Sequence, residues 1–252
     1  MGIFEGVLLC SDVDGTLVYD NEVPKANREA IEYFKSEGGL FTLSTGRQPS
    51  YFTEKFSIEP NTYVISINGT VISDLSGKEI IYDKKLTLDF ALELCDFVLP
   101  RYNLETFWAA DLSYEVLEYG KLPSTDTNKM MFVPKKEDDA LRLMDELREK
   151  YKGLVDISRS WPTGVEAICE GSGKGYCVKR LKEITGSRLL VCAGDYDNDI
   201  TMLRDADIGY AIKSGVKAVH DAADRITNKD ASDGAIAEII YTLESEILQN
   251  RE

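Results

Sequence analysis

Histidine is nearly absent from this chain. The single one, His220, stands in "VKAVHDAAD", where helical spacing places it on the surface or half-buried side of a helix. A multi-histidine metal centre is thereby excluded, and a serine–histidine–aspartate relay has nothing to work with beyond that one ring. Positive charge is also scarce. Against 44 Asp and Glu there are 29 Lys and Arg, a formal net charge of −15, so the surface as a whole suits neither nucleic acid nor an anionic membrane. An anionic substrate would need a local cationic pocket. Long apolar runs are missing too: the opening "MGIFEGVLLCSD" has no basic stretch, and its apolar run is too short for a secretion signal or a membrane span. The five cysteines (Cys10, Cys95, Cys169, Cys177, Cys192) form no C-x-x-C pair and are odd in number, which suits reduced, mostly buried thiols in a cytoplasmic protein better than a disulfide frame. Acid, base and metal chemistry must fall to carboxylates.

What is present alternates. "VLLCS" (7–11) reads as a short buried strand, "PKANREAIEYFKSEGG" as a helix with Pro24 near its first turn and Gly38 at its end, and "LFTLS" (40–44) as a second strand. A helix is expected at 49–56 and a third strand in "TYVISING". Three buried strands separated by helices imply a parallel sheet with right-handed crossovers. The pattern returns late in the chain: helix 174–185, strand "RLLVCAGD", helix 197–205, strand "DIGYAI", helix 215–223 and a last helix over 232–248. Between these halves the texture changes to helix-like "TLDFALELCDFVL", strand-like "LETFWAA", "YEVLEYG" and "KMMFVP", the charged helix "KKEDDALRLMDELREKY", and strands near 154–158 and 164–169. The expected organisation is an α/β protein: a Rossmann-like parallel-sheet core in two parts, 1–82 and 172–252, with an inserted α+β cap over 83–171. In that cap the aromatic stripe Trp108, Tyr114 and Tyr119 reads as core.

In a parallel sheet, polar residues just past the carboxyl ends of the strands line the binding crevice. The first strand delivers Asp12 and Asp14, the second Thr45, Gly46 and Arg47, the third Asn68 and Gly69, and "LLVCAGDYDND" delivers Asp195 and Asp199. Lys174, in "EGSGKGYC", opens the helix before that last strand. Carboxylates brought together this way raise one another's pKa unless a divalent cation sits among them, and oxygen ligands without His or thiolate favour Mg²⁺. A lysine and hydroxyls beside such an ion can hold the remaining oxygens of a phosphate. The constellation suits phosphoryl transfer, with an aspartate available as nucleophile.

The motifs "DVDGTL", "LSTGR", "SING", "GSGKG" and "GDYDNDITML", in this order, resemble those of the haloacid dehalogenase superfamily, and in particular its Cof-type phosphatases. The resemblance implies a Rossmann-like core with a large α/β cap between the second and third motifs. It implies that Asp12 attacks phosphorus and becomes an aspartyl phosphate. Asp14 would protonate the leaving oxygen and then deprotonate the hydrolytic water. Thr45 and Lys174 would bind the transferring phosphoryl group, with Gly46, Arg47, Asn68 and Asn198 as further substrate contacts. Mg²⁺ would be held by Asp12, the backbone carbonyl of Asp14 and Asp195, with Asp199 in or next to the shell. The substrate implied is a small phosphorylated metabolite, a sugar phosphate or similar polyol ester, with no nucleic acid or membrane partner.

Other readings of the same residues stay open at this stage. Asp-x-Asp-Gly can be a simple turn; a calcium loop would need further ligands and a distal Glu, which are missing here. "GSGKG" lacks the spacing and the hydroxyl residue of a P-loop. "STGR" can be a turn with a solvated Arg47, and Asn68-Gly69 can be structural rather than a substrate contact. At the level of function, a phosphomutase of the same fold and a non-catalytic ligand-binding or regulatory protein are the alternatives.

Overall fold

In a computed structural model, residues 2–49, 58–112 and 119–249 are described. The first strand, β1 (Val7–Ser11), is buried along its whole length. It is an interior strand of a parallel sheet, flanked by β2 (Leu40–Leu43) and β10 (Leu189–Gly194), with β11 (Ile208–Ala211) and β12 (Arg225–Ile226) beyond, in the order β12-β11-β10-β1-β2. Strands covered on both faces can be apolar without alternation, and "VLLC" is. Leu9 points into a cluster with Ile31 and Phe34 of α1 (Lys25–Ser36) and Ile236, Ile240 and Leu243 of α7 (Ala235–Gln249). Its neighbours Leu8 and Cys10 point the other way, to Val178 and Leu181 of α4 (Lys174–Thr185) and Met202 and Leu203 of α5 (Ile200–Asp205). Helices on both faces leave the carboxyl edge of the sheet as the open side.

The third strand departs from the expectation. β3 (Val64–Ser66) meets the parallel sheet only through the bridge Ser44–Ile65, and it belongs to an antiparallel ribbon with β4 (Val71–Ser73) and β5 (Ile80–Asp83). Positive φ at Ile67 (48°), Asn68 (55°) and Gly69 (82°) reverses the chain immediately after β3, so the next strand runs back along it. Strands of three or four residues carry too little periodicity to be seen in sequence. The helix expected at 49–56 falls largely on residues 50–57, outside the described residues, as does most of the strand expected in "YEVLEYG" (114–120).

The inserted segment forms a four-stranded antiparallel sheet, β6 (Leu104–Ala110), β7 (Lys129–Pro134), β9 (Gly164–Cys169) and β8 (Val155–Trp161), in that spatial order. Helices α2 (Leu88–Val98) and α3 (Glu137–Lys150) cover one face, burying Leu94, Leu143 and Leu147 against Ala109, Phe132 and Val165. Acidic residues Glu137, Asp138 and Asp139 open α3 and Arg148 and Lys150 close it, matching the helix dipole. The aromatic stripe is a correction. Ala109 faces this core, so Trp108 beside it faces the opposite side of the sheet; Tyr119 is 65% exposed, and Tyr114 lies outside the described residues.

In the last third, helix 215–223 shortens to α6 (Lys217–His220), which carries His220 half-buried with Nε2 2.9 Å from the Ile212 carbonyl. Helix 197–205 begins as a 3₁₀ turn, Asp197–Asp199, before α5. Gly234 (φ 92°) separates a short turn at Ala231–Asp233 from α7, where one continuous helix is expected. All five cysteines are free. Among the described residues no helix is long and apolar enough to cross a membrane.

Candidate active site

Asp12 leaves the carboxyl end of β1 with its N–H bonded to the Ala193 carbonyl of β10 (2.9 Å), which fixes its backbone in the sheet. Its Oδ1 is 2.6 Å from the Lys174 Nζ, and that ammonium is also 2.6 Å from Asp199 Oδ1. Lys174 is the first residue of α4, placed there by Gly173 at φ 95°; a Cβ on Gly69 would overlap the Gly173 carbonyl, so the two loops approach at glycine contact. Asp199 is fully buried, its Oδ2 accepting the backbone N–H groups of Asp195 (2.9 Å) and Tyr196 (3.2 Å). Asp195 accepts the Thr16 hydroxyl (2.7 Å). Its carboxylate also packs on Gly15, where a Cβ would stand 2.5 Å from Oδ2 and φ is 85°; the Gly of "DVDG" answers both constraints.

One carboxylate oxygen from each of Asp12, Asp195 and Asp199 lies within 4.8 Å of the others. Burial and then the neighbouring Asp199 hold Asp12 well above the usual carboxylate range. The same two causes push Asp195 up to about 7. Burial alone would depress Lys174, but Asp12 and Asp199 outweigh it and keep the ammonium charged, above its ordinary value. One buried cation thus faces three carboxylates. A hard divalent cation fits the remaining charge and the all-oxygen donor set.

The other residues expected at the site divide into two groups. Thr45 is buried beside Asp12's strand and accepts the Arg47 N–H at its hydroxyl (3.1 Å). Asn68 lies behind it, its N–H bonded to the Thr45 carbonyl (2.8 Å). Asn198 donates to Asn68 Oδ1 at 3.1 Å. Asp14 and Arg47 stand apart: the guanidinium takes the Asp14 carboxylate in a two-bond fork, Nε to Oδ2 at 2.6 Å and Nη2 to Oδ1 at 2.7 Å, outside the carboxylate cluster. Gly46 turns its carbonyl to the cap, where Lys129 Nζ reaches it at 3.1 Å.

That contact belongs to a polar layer that sequence reasoning left out of the site. Glu166, 1% exposed, accepts from Asn68 Nδ2 and from the Ser160 hydroxyl, and pairs with Lys129 at 2.9 Å. Asn198 Nδ2 also donates to Ser160 Oγ (3.0 Å), Arg159 reaches Asp197 at 2.9 Å, and Gln48 Nε2 donates to the Asp111 carbonyl (2.6 Å). Lys129 sits within a strand that reads only as cap β-structure, whereas Glu166, like Asp111, Arg159 and Trp161, stands at a cap position from which the sequence allows contact with the core, without a motif that assigns it to the site.

The family description haloacid dehalogenase-like hydrolase matches residues 9–119 and 110–240. The chain is 29% identical over 235 residues to the 5-amino-6-(5-phospho-D-ribitylamino)uracil phosphatase YcsE of Bacillus subtilis, covering 90% of this chain and 92% of that one. It is 26% identical over 246 residues to a phosphoglycolate phosphatase of Methanosarcina acetivorans, covering 93% and 95%. The solved structure of the HAD subclass IIB sugar phosphatase BT4131 superimposes with a TM-score of 0.76 at 20% identity, over 95% of this chain and 99% of that one. With the motifs in order and both halves of the core matched, the chain belongs to the haloacid dehalogenase-like hydrolases.

Proposed function

We propose that this phosphatase hydrolyses a small phosphorylated metabolite, a sugar phosphate or polyol ester, through an aspartyl phosphate on Asp12, with Mg²⁺ as cofactor. The observation that carries the reading is Lys174, itself buried, clamped between Asp12 and Asp199 at the carboxyl edge of the parallel sheet. Lys174 orients Asp12 through Oδ1 and leaves the other oxygen to attack phosphorus. Thr45 would hold a phosphoryl oxygen. Mg²⁺ held by Asp12, Asp195 and the Asp14 carbonyl, with Asp199 beside it, would stabilise charge on the phosphoryl oxygens and keep the buried carboxylates ionised. Asp14 is the acid and then the base, and delivering its proton requires it to turn away from the Arg47 fork.

The cap, residues 83–171, serves as the lid, turning about Tyr82-Asp83 and Gly171-Ser172-Gly173; positive φ at Gly171 (69°) and Gly173 (95°) suits chain that must change direction. Relatives named for substrates as different as phosphoglycolate and a ribitylaminouracil phosphate leave the leaving group to the cap. The test is turnover of p-nitrophenyl phosphate and of a phosphorylated-metabolite panel, ranked by kcat/KM. Chelation should abolish activity and Mg²⁺ restore it, with Ca²⁺ a poor substitute; full activity after exhaustive chelation would overturn the metal assignment.

A further inference from the structure

The chain contains only two tryptophans, and the fold brings them together. Trp108 comes from β6 and Trp161 from the end of β8, the two edge strands of the cap sheet; their rings lie 6.3 Å apart and 12° from parallel, with Tyr119 edge-on to Trp108 at 5.1 Å. Trp161 reaches this position by folding back over Gly164, where any Cβ would overlap the indole. Neither indole belongs to the cap's hydrophobic core, and both are half-buried.

The register fixes which way they face. Trp108 is paired with Met131, and Met131 with Glu166, so these three side chains share one face of the sheet. Glu166 bonds Asn68 of the core, which makes this the face turned toward the crevice. Two strand spacings, roughly 10 Å, separate Trp108 from Glu166, and Gly164 under Trp161 is two residues, about 7 Å, along β9 from it. Beside the carboxylate cluster the crevice thus presents a polar layer of Asn68, Asn198, Ser160 and Glu166, and farther along the same cap face the aromatic pair.

We propose that Trp108 and Trp161 form a stacking subsite for a planar ring at the far end of the leaving group, so that the substrate is a phosphate monoester whose hydroxyl-bearing chain ends in an unsaturated ring. The inference rests on the phosphatase reading above. A small substrate such as a two-carbon phosphate would leave the pair unused. A polyol phosphate ending in a heterocycle would engage all three layers, with the ring's π-face on the indoles.

The experiment compares 5-amino-6-(5-phospho-D-ribitylamino)uracil with ribitol 5-phosphate, which has the same phosphate and chain without the ring. The specificity ratio, kcat/KM with the ring over kcat/KM without it, should favour the ring in the native protein by about ten- to a hundredfold, the usual range for base–aromatic stacking. Trp108→Ala and Trp161→Ala should each collapse most of that ratio, and Trp→Phe at either position should restore most of it. Because these are the only tryptophans, emission near 340 nm reports on this pair alone; in the Asp12→Asn protein the ring-bearing ester should change it saturably and more than the ring-less ester does. A ratio near one in the native protein, or equal losses on both esters in the alanine variants, would overturn the ring subsite. The phosphatase reading is judged separately, by p-nitrophenyl phosphate turnover.

Discussion

On the floor of the crevice, Asp12, Lys174 and Asp199 are held at the open edge of a parallel sheet by backbone bonds and by one another. On the roof, Lys129, Ser160 and Glu166 stand within antiparallel strands and are satisfied largely by groups of the opposite domain. The floor gathers buried carboxylates whose burial and mutual repulsion raise their pKa values, with Lys174 as the opposing charge. The roof is a network completed only where cap and core meet. Under the proposed function, chemistry common to every substrate would belong to the first, and the choice of leaving group to the second.

The strongest way to break this division is at Asp12. Asp12→Asn keeps shape and removes the attacking oxygen, so turnover should fall on the order of 10⁴-fold or more for every substrate, with no phosphoenzyme in rapid-quench experiments. Loss confined to some substrates would move Asp12 out of the common chemistry. Asp14→Asn should sharpen the same point less drastically. Alkyl esters should lose about 10²–10⁴-fold in the first step, while p-nitrophenyl phosphate, whose phenolate leaves unaided, should lose much less, give a burst of nitrophenol and trap the phosphoenzyme. Equal first-step losses for both ester types, without a trapped intermediate, would assign Asp14 a different role.

On the roof, Glu166→Ala leaves Lys129, 8% exposed at its side chain, buried without its counter-charge. Breaking a buried pair this way costs about 3–5 kcal/mol, which thermal unfolding would register, and Glu166→Gln should recover part of it by keeping the hydrogen bonds. No change in melting temperature would mean that the cap opens freely and the pair is solvated.

The smallest effect expected is a pH slope belonging to the cap alone. Burial, followed by the hydrogen bond and charge of Glu170, lifts Asp156 to about 7, against an ordinary 3.8. The folded state then holds a proton that the unfolded chain releases. Its stabilising contribution is complete below about pH 4 and is lost as pH rises through about 7. Melting temperature followed across that window should fall less steeply for Asp156→Asn than for the native protein; identical slopes would remove Asp156 from the balance.

How far the sequence could be read tracks the same division. Asp12, Thr45 and Asp195 follow strands of the parallel sheet whose apolar runs are visible, so the rule that such strands point their carboxyl ends at one crevice was enough to bring them to the same edge; Asn68 reaches it from the antiparallel ribbon. The antiparallel ribbon β3–β5 escaped because a reversal built from positive φ at Ile67 and Asn68 leaves no periodicity behind it. The aromatic stripe was assigned to the cap core because alternation within one strand does not say which face is covered by helices. The Arg47–Asp14 fork joins residues 33 positions apart, and nothing local to either announces it.

By itself, then, the sequence determined the chemistry available here: one histidine, five thiols without pairing motifs, and carboxylates and a lysine spaced as a phosphoryl-transfer site on an α/β core. Tertiary structure alone decided that Lys174 bridges two aspartates, that Glu166 and Lys129 close over Asn68 and Gly46, and that the two tryptophans meet on the crevice face. Strand periodicity is a local property fixed by backbone geometry, whereas these contacts join side chains brought close by sheet register and domain closure, and their energies depend on burial that no short stretch of chain possesses.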